Sequence, residues 1–394
     1  MNSAILSNEV QQFINDNLAS DIHKVLLKKS PFTEVTSKEL VEQIESKSKA
    51  KQKLPTWFET KNIFYPNKLN LSQTSSEKSA HYKSNLVKGK TLVDITAGLG
   101  IDAYAFSKKI NKVIHVEKNE ELSAIAQHNF IQLGATNIEF ISTDGIWFLK
   151  NNPQSFDWIY LDPSRRDKNN KKVYYLSDCE PNIIEHLDFL FTKSNNILIK
   201  TGPLLDLNNG LKQLRNVKEI HILAIGNDVK EVLWLLNKNY SEEPLIKTIN
   251  FKNEIEQFFQ FHFNQERSAI SNYSRPLIFL YEPNAAILKS GSFEYVGRYY
   301  NLKKLHSNSH LYTSDELISF PGRVFKILNV LDYSKKSLKK INTSKANITT
   351  RNFPDSVEKI RKKLHLKDGG SSYLFFTTDK NQKLIVINCT QIFE

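Results

Sequence analysis

The sequence predicts an α/β chain built round a doubly wound, mostly parallel sheet, with a helical segment before it and small α+β domains after it. Three observations predict this. From Lys90 to about Lys238 short apolar runs alternate with helical stretches; the first 60 or so residues place apolar side chains at helical spacing; beyond Tyr240 the alternation gives way to mixed patterns. At 394 residues the chain exceeds one typical domain and suits two or three. The expected boundaries are 1–60 for the helical region, 61–240 for the sheet domain, 241–322 for a small α+β domain and 323–394 for a basic C-terminal domain.

Each element has its own signal. Val10, Phe13, Ile14 and Leu18 recur at helical spacing, and Ile22, Val25 and Leu26 continue the pattern. The tetrapeptide TSKE, Thr36 to Glu39, is a capping box that starts a second helix, with Pro55 as its stop. Seven strand candidates follow: TLVDI, KVIHVE, NIEFIS, FDWIYLD, NILIK, EIHILAI and EVLWLL, with helices between the first five. Past Tyr240, PLIFLYEP, AAILKSGSFEYVGRYYNLKKL and LISFPGRVFKILNVL suggest mixed strands and helices, and the chain closes as helix, Gly-Gly turn and a hairpin turning at DKNQK. On spacing alone, Phe258, Phe259, Phe261 and Phe263 belong to a core.

Composition narrows the class. No window approaches about 20 uninterrupted apolar residues, so no membrane span is expected, and the opening MNSAILSNEV lacks a signal peptide's basic and apolar regions. The two cysteines, Cys179 and Cys389, form no CxxC or Cys/His cluster, so neither a disulfide framework nor a metal site is expected, and a reducing cytoplasm is the expected setting. The net charge is +12, and the stretch from Pro321 onward holds 15 Lys and Arg against 6 Asp and Glu. Such a surplus attracts polyanions such as RNA through phosphate contacts. A merely solvated, lysine-rich surface explains it equally well, and charge alone leaves both readings open.

The chemistry concentrates at the strand ends, where ligands of doubly wound sheets bind. After the first strand, LVDITAGLGIDAYAF carries Gly98-x-Gly100-x-x-Ala103, and Glu117 ends the next strand 19 residues after Gly98. That is a loose dinucleotide fingerprint, which tight strand-to-helix packing also produces. Asp94, four residues before Gly98, suits a cofactor bearing an ammonium or hydroxyls and would be a poor neighbour for a pyrophosphate. Asp144 in STDG is placed to accept from an adenine amine or simply to cap a helix. In YLDPSRRD, Asp162, Pro163, Ser164, Arg165 and Arg166 follow the fourth strand. Lys200 ends the fifth, facing the cleft or snorkelling to water. Gln73 and Thr74 precede a helix capped by Ser75 or Ser76 and are candidates to cover the cofactor. His115, within a strand, is expected to be packed rather than catalytic.

The series Asp94, Gly98, Gly100, Glu117, Asp144 and Asp162-Pro163 resembles the ordered motifs of class I S-adenosylmethionine-dependent methyltransferases. DITAGLGIDA is similar to the first motif of some ribosomal-RNA guanine-N2 methyltransferases. The resemblance covers about residues 60–240 and implies a Rossmann-like, seven-stranded methyltransferase sheet. The wider layout resembles bacterial methyltransferases that add a ferredoxin-like domain and a C-terminal THUMP-like domain; FPDSVEKIRKKLHLKDGGSSYLFFTT carries the last likeness, and such domains accompany RNA-modifying enzymes.

The resemblance implies that Asp94, Thr96, Gly98 and Gly100 form the cofactor turn, that Glu117 holds the ribose hydroxyls, and that Asp144 meets the adenine amine. Asp162 and Pro163 match the [D/N]PP[F/Y/W] motif of enzymes that methylate exocyclic amines, where they aim the amine at the methyl group. Ser164 and Arg165 depart from that motif, standing where a proline and a base-stacking aromatic are expected; with Arg166 and Lys200 they become candidate substrate contacts. The reading is therefore an S-adenosylmethionine-dependent methyltransferase acting on a base in ribosomal or transfer RNA, an exocyclic guanine amine being one acceptor. The alternatives are a non-catalytic RNA-binding relative and an NAD-dependent oxidoreductase.

Overall fold

The computed structural model describes residues 1–164, 176–341 and 343–392, so Arg165 and Arg166 lie outside the described residues. It divides into two compact units, Met1–Val217 with Trp234–Ser241, and Lys218–Leu233 with Glu242–Glu394, where the sequence suggests four segments.

In the first unit all the expected early strands form: β1 Thr91–Asp94, β2 Lys112–Glu117, β3 Ile138–Ser142, β4 Trp158–Leu161 and β5 Asn196–Thr201. They lie in the order β3-β2-β1-β4-β5, each neighbouring pair parallel. β1 is buried from Leu92 to Asp94 and β4 throughout, as a central parallel strand covered on both faces must be. Helices Ile101–Ser107, Glu120–Gln132, Gly145–Asn151 and Ile183–Lys193 make the crossovers. Register sets Asp94 between His115 of β2 and Tyr160 of β4, so the strand ends are level where the site lies.

The helices ahead of β1 follow their sequence signals closely. Ser37–Lys53 starts on the full Thr36/Glu39 capping box and ends before Pro55, which opens the next short helix. Helix Ile22–Leu27 differs: it contributes no buried residue, and Leu27 is 87% exposed. Its apolar spacing is too brief for a face that reaches the core.

Strands β6 Val217–Ile225 and β7 Asp228–Asn237 form a hairpin about Gly226 and Asn227. The end of β7 belongs to the first unit and follows β5 there; in the second unit the order continues β7-β6-β8-β9, with β8 Leu245–Lys252 and β9 Ile255–His262.

A separate seven-stranded sheet completes the second unit. Its strands are β10 Phe279–Pro283, β11 Lys303–Lys304, β12 Tyr312–Ser314, β13 Gly322–Asp332, β14 Asn347–Arg351, β15 Tyr373–Thr378 and β16 Leu384–Gln391, in the order β11-β12-β10-β13-β16-β15-β14. β10 pairs with β13 from Phe279 to Pro283, so the sheet runs unbroken across residue 322. Phe325, Phe375 and Ile387 anchor its core. Phe259 and Phe261 are buried as expected, whereas Phe258 alternates outward and is 45% exposed.

Candidate active site at the strand ends

The turn after β1 is held by main-chain and carboxylate contacts. Ile95 N–H donates to Tyr160 O at 3.1 Å and Ala97 N–H to Val116 O at 3.1 Å, pinning the turn to both neighbouring strands. Gly98 has φ +56° and nothing nearer its missing Cβ than Leu122 Cδ2 at 4.0 Å; its N–H donates to Glu117 Oε2 at 2.8 Å. Gly100, φ +80°, opens helix Ile101–Ser107, and a Cβ there would lie 2.5 Å from Phe130. Gly98 therefore leaves an open cradle, while Gly100 is demanded by packing.

The remaining candidates gather round this turn. Asp94 is 1% exposed and accepts from Thr96 N–H at 3.1 Å; burial first, then the carboxylates of Asp102, Asp162 and Glu117, hold its pKa well above the usual carboxylate range. Asp162 N–H donates to Thr96 Oγ1 at 2.7 Å, and its carboxylate forms an ion pair with the largely buried Lys200. Lys200 thus faces the cleft. Asp144 caps helix Gly145–Asn151 through Trp147 N–H at 2.8 Å, yet it also lines the cleft. The capping and ligand readings of Asp144 are compatible, since a carboxylate has a second oxygen. Gly145 allows this close approach: a Cβ on it would lie 2.2 Å from Ile95 O.

A cleft of about 570 Å³ is lined by Thr96, Glu117, Asp144, Asp162, Pro163 and Ser164 among others. A smaller hollow of about 160 Å³ over Asp94, Gly98 and Gly100 shares Gln73, Thr96 and Asp162 with it. Four side chains lining the larger cleft are acids, Glu117, Asp144, Asp162 and Glu180; Glu180 pairs with Lys118 at 2.8 Å. Such a surplus of carboxylates suits a cationic ligand with hydroxyls and repels a pyrophosphate. His115 is packed as expected: it is buried and its Nε2 lies 3.1 Å from Gly98 O.

Sequence reasoning missed the support beneath the turn. Lys83, fully buried, pairs with Asp102 Oδ1 at 2.9 Å and donates to Ser75 Oγ at 2.7 Å. Ser75 Oγ–H and Tyr160 O–H both donate to Asp102 Oδ2, at 2.8 and 2.7 Å. Burial alone would raise the pKa of Asp102; the Lys83 and Lys200 ammonium groups outweigh it and hold it below the usual value. The network ties the segment carrying Gln73 and Thr74 to the helix that follows the turn. Its one sequence signal is an acid on the buried face of Ile101–Ser107. Sequence reasoning also missed Glu180, whose backbone pairs with that of Ser164.

Strand order, glycine turn and acidic strand ends define a class I methyltransferase fold. A solved structure of a "putative methyltransferase" from Porphyromonas gingivalis W83 is 31% identical and superposes over 99% of both chains with a TM-score of 0.89. The chain belongs to the family of that protein. Family models match residues 72–195 (conserved hypothetical protein 95), 279–321 (ferredoxin-like domain) and 322–391 (THUMP domain-like). The ribosomal RNA small subunit methyltransferase J of Francisella tularensis subsp. novicida is 30% identical over 81 residues, 18% of this chain; the chain spans about a third of that relative's length, 34%. Among the described residues no helix is long and apolar enough to cross a membrane.

Proposed function

We propose that this methyltransferase uses S-adenosylmethionine and modifies a base in structured RNA, ribosomal or transfer, with an exocyclic guanine amine as the acceptor. The observation that carries the reading is the convergence of Glu117, Asp144 and Asp162 on one cleft, adjoining the hollow that Asp94 lines over the open cradle at Gly98. The donor would supply a methyl group on a positively charged sulfur. The residues fit it: Gly98 leaves room for its amino-acid end, and Asp94, destabilised as an anion by burial and neighbouring carboxylates, gains from a nearby ammonium. Glu117 would hold the ribose hydroxyls, and the uncapped oxygen of Asp144 the adenine amine.

On the acceptor side, Asp162 and the main chain at Pro163 orient the reacting amine, and Lys200 fixes the rotamer of Asp162 through their ion pair. The THUMP-like match, the basic C-terminal stretch and the ribosomal RNA in the name of the Francisella relative support RNA as substrate.

The test is transfer of a tritiated methyl group from S-adenosylmethionine to RNA from cells lacking this gene, with ribonuclease-treated and DNA controls. Ribonuclease-sensitive label is expected, and Asp162→Ala should abolish it while changing donor affinity no more than a few-fold. Collapse of donor binding in Asp162→Ala would reassign that residue to the donor. Donor binding without label in any polymer would favour the non-catalytic RNA-binding reading, to which the Ser164-Arg165 departure points. Binding of NAD in place of S-adenosylmethionine would overturn both.

A further inference from the structure

The second unit carries a cavity of about 420 Å³ that the methyl-transfer site does not use, lined by Gln265, Ser268, Tyr295, Arg298 and Tyr299. We propose that it binds one unpaired nucleotide of the RNA, with Tyr299 as the stacking surface and Arg298 as the phosphate contact. The proposal rests on the RNA reading above and extends it from the reacting base to a second, remote nucleotide.

Three observations carry it. First, Tyr299 is 60% exposed, and its ring is held from behind by other aromatic rings: Tyr300 at 4.9 Å, Phe259 at 5.5 Å and Tyr295 at 6.0 Å between centroids. A large exposed ring with a rigid aromatic backing loses little freedom on stacking, and base–aromatic stacking tolerates every base.

Second, the polar groups are those a nucleotide uses. Arg298 is exposed and has no side-chain partner among the described residues, and no carboxylate lines the cavity. Gln265 donates to Tyr295 Oη at 3.0 Å and its carbonyl accepts from His262 N–H at 2.7 Å, so its amide is fixed along the wall and its second N–H is left for a base edge or a 2′-hydroxyl.

Third, the walls are fixed in place. The Glu266 carboxylate accepts from the N–H groups of Phe293, Glu294 and Tyr295 at 2.8 to 3.2 Å, joining helix Phe263–Ser268 to helix Tyr295–Tyr299. The Glu266 carboxylate is thereby committed to these N–H groups and does not line the cavity. Its volume falls within the range of small-ligand sites.

The experiment measures binding of a fluorescein-labelled 12-nucleotide single-stranded RNA to the full chain, against the same strand annealed to its complement. Tyr299→Ala should weaken single-strand binding about tenfold and Tyr299→Phe less than twofold. Arg298→Gln should weaken it about threefold and lower its salt dependence. Thermal unfolding checks that these exposed positions leave the fold intact, and calorimetry with S-adenosylmethionine follows the methyltransferase reading separately. Equal single-strand affinity in Tyr299→Ala and the parent chain overturns the pocket, as does equal loss of duplex and single-strand binding. Failure of the parent chain to bind the strand, with donor binding retained, overturns the pocket and leaves methyl transfer standing.

Discussion

Lys83 and Asp102 form an ion pair at 2.9 Å, with Lys83 wholly buried, directly beneath the glycine turn. A buried pair is stable only while both members and their hydrogen bonds remain, and here Ser75 and Tyr160 supply those bonds. Lys83→Met leaves a carboxylate in the core, and the expected cost is about 3–5 kcal/mol of unfolding free energy by urea titration. Lys83→Met with Asp102→Leu should recover most of it. Asp102 titrates below the usual carboxylate value in the folded chain, so the pair's contribution is complete above that value and fades as pH falls below it. A loss under about 1 kcal/mol in the single variant would mean that water reaches the pair.

Gly98 and Gly100 separate binding from folding. Gly98→Ala places a methyl group in open space at φ +56°, costing about 1 kcal/mol of stability while filling the cradle. Donor affinity by calorimetry should fall at least tenfold. Gly100→Ala drives a methyl group to 2.5 Å from Phe130 and 3.1 Å from His115, so about 3 kcal/mol of stability should be lost. If both variants lose stability equally and bind the donor alike, Gly98 forms no part of the donor site.

His115 makes the turn acid-sensitive. Burial lowers its pKa from 6.5 to about 4, its Nε2 contacts Gly98 O at 3.1 Å, and Nδ1 has no partner among the described residues to receive a second proton. The unfolded chain takes up that proton near pH 6.5 and the folded chain only near 4. Stability is therefore complete above 6.5 and declines as pH falls towards 4, by about 3 kcal/mol in all. His310 and His221 are lowered in the same direction by burial, so the comparison must be with His115→Gln. Urea midpoints from pH 7.5 to 4.5 should fall less steeply in that variant; parallel curves would sink the assignment.

How much of this was legible follows from the range of each signal. The sheet strands and the Thr36 capping box rest on local periodicity and spacing, and all are found. Asp94, Gly98, Glu117 and Asp162 were legible because every strand end of a parallel sheet points to one edge. Lys83 and Asp102 were not: each lies on a different helix, and no pattern within a helix shows which buried lysine will meet which acid. Likewise Phe258 and Phe259 look alike in composition, and only strand alternation separates the 45% exposed ring from the buried one. The Tyr299 cavity needs two helices joined by Glu266, a contact across almost thirty residues.

Charge on the C-terminal stretch gives the last prediction. Part of its surplus is satisfied locally: Lys359 pairs with Asp355, Arg361 with Asp368, and Lys363 donates to Tyr333 Oη at 2.8 Å while lying 4.4 Å from its ring centre. Lys335, Lys336, Lys339 and Lys340 differ, being exposed around the short helix Lys335–Leu338 with no ion-pair partner among the described residues. Truncation near residue 322 would be a poor probe, because β13 pairs with β10 and its removal exposes a sheet edge. Changing the four lysines to glutamine leaves buried Leu338 and the sheet intact. Each phosphate that the variant no longer neutralises should reduce the slope of log affinity against log salt by about 0.7 to 0.9, so a decrease of about 3 is expected if all four lysines engage RNA. Binding of a labelled structured RNA across 50–300 mM salt measures it. An unchanged slope would assign these lysines to the solvated surface that composition alone also allowed.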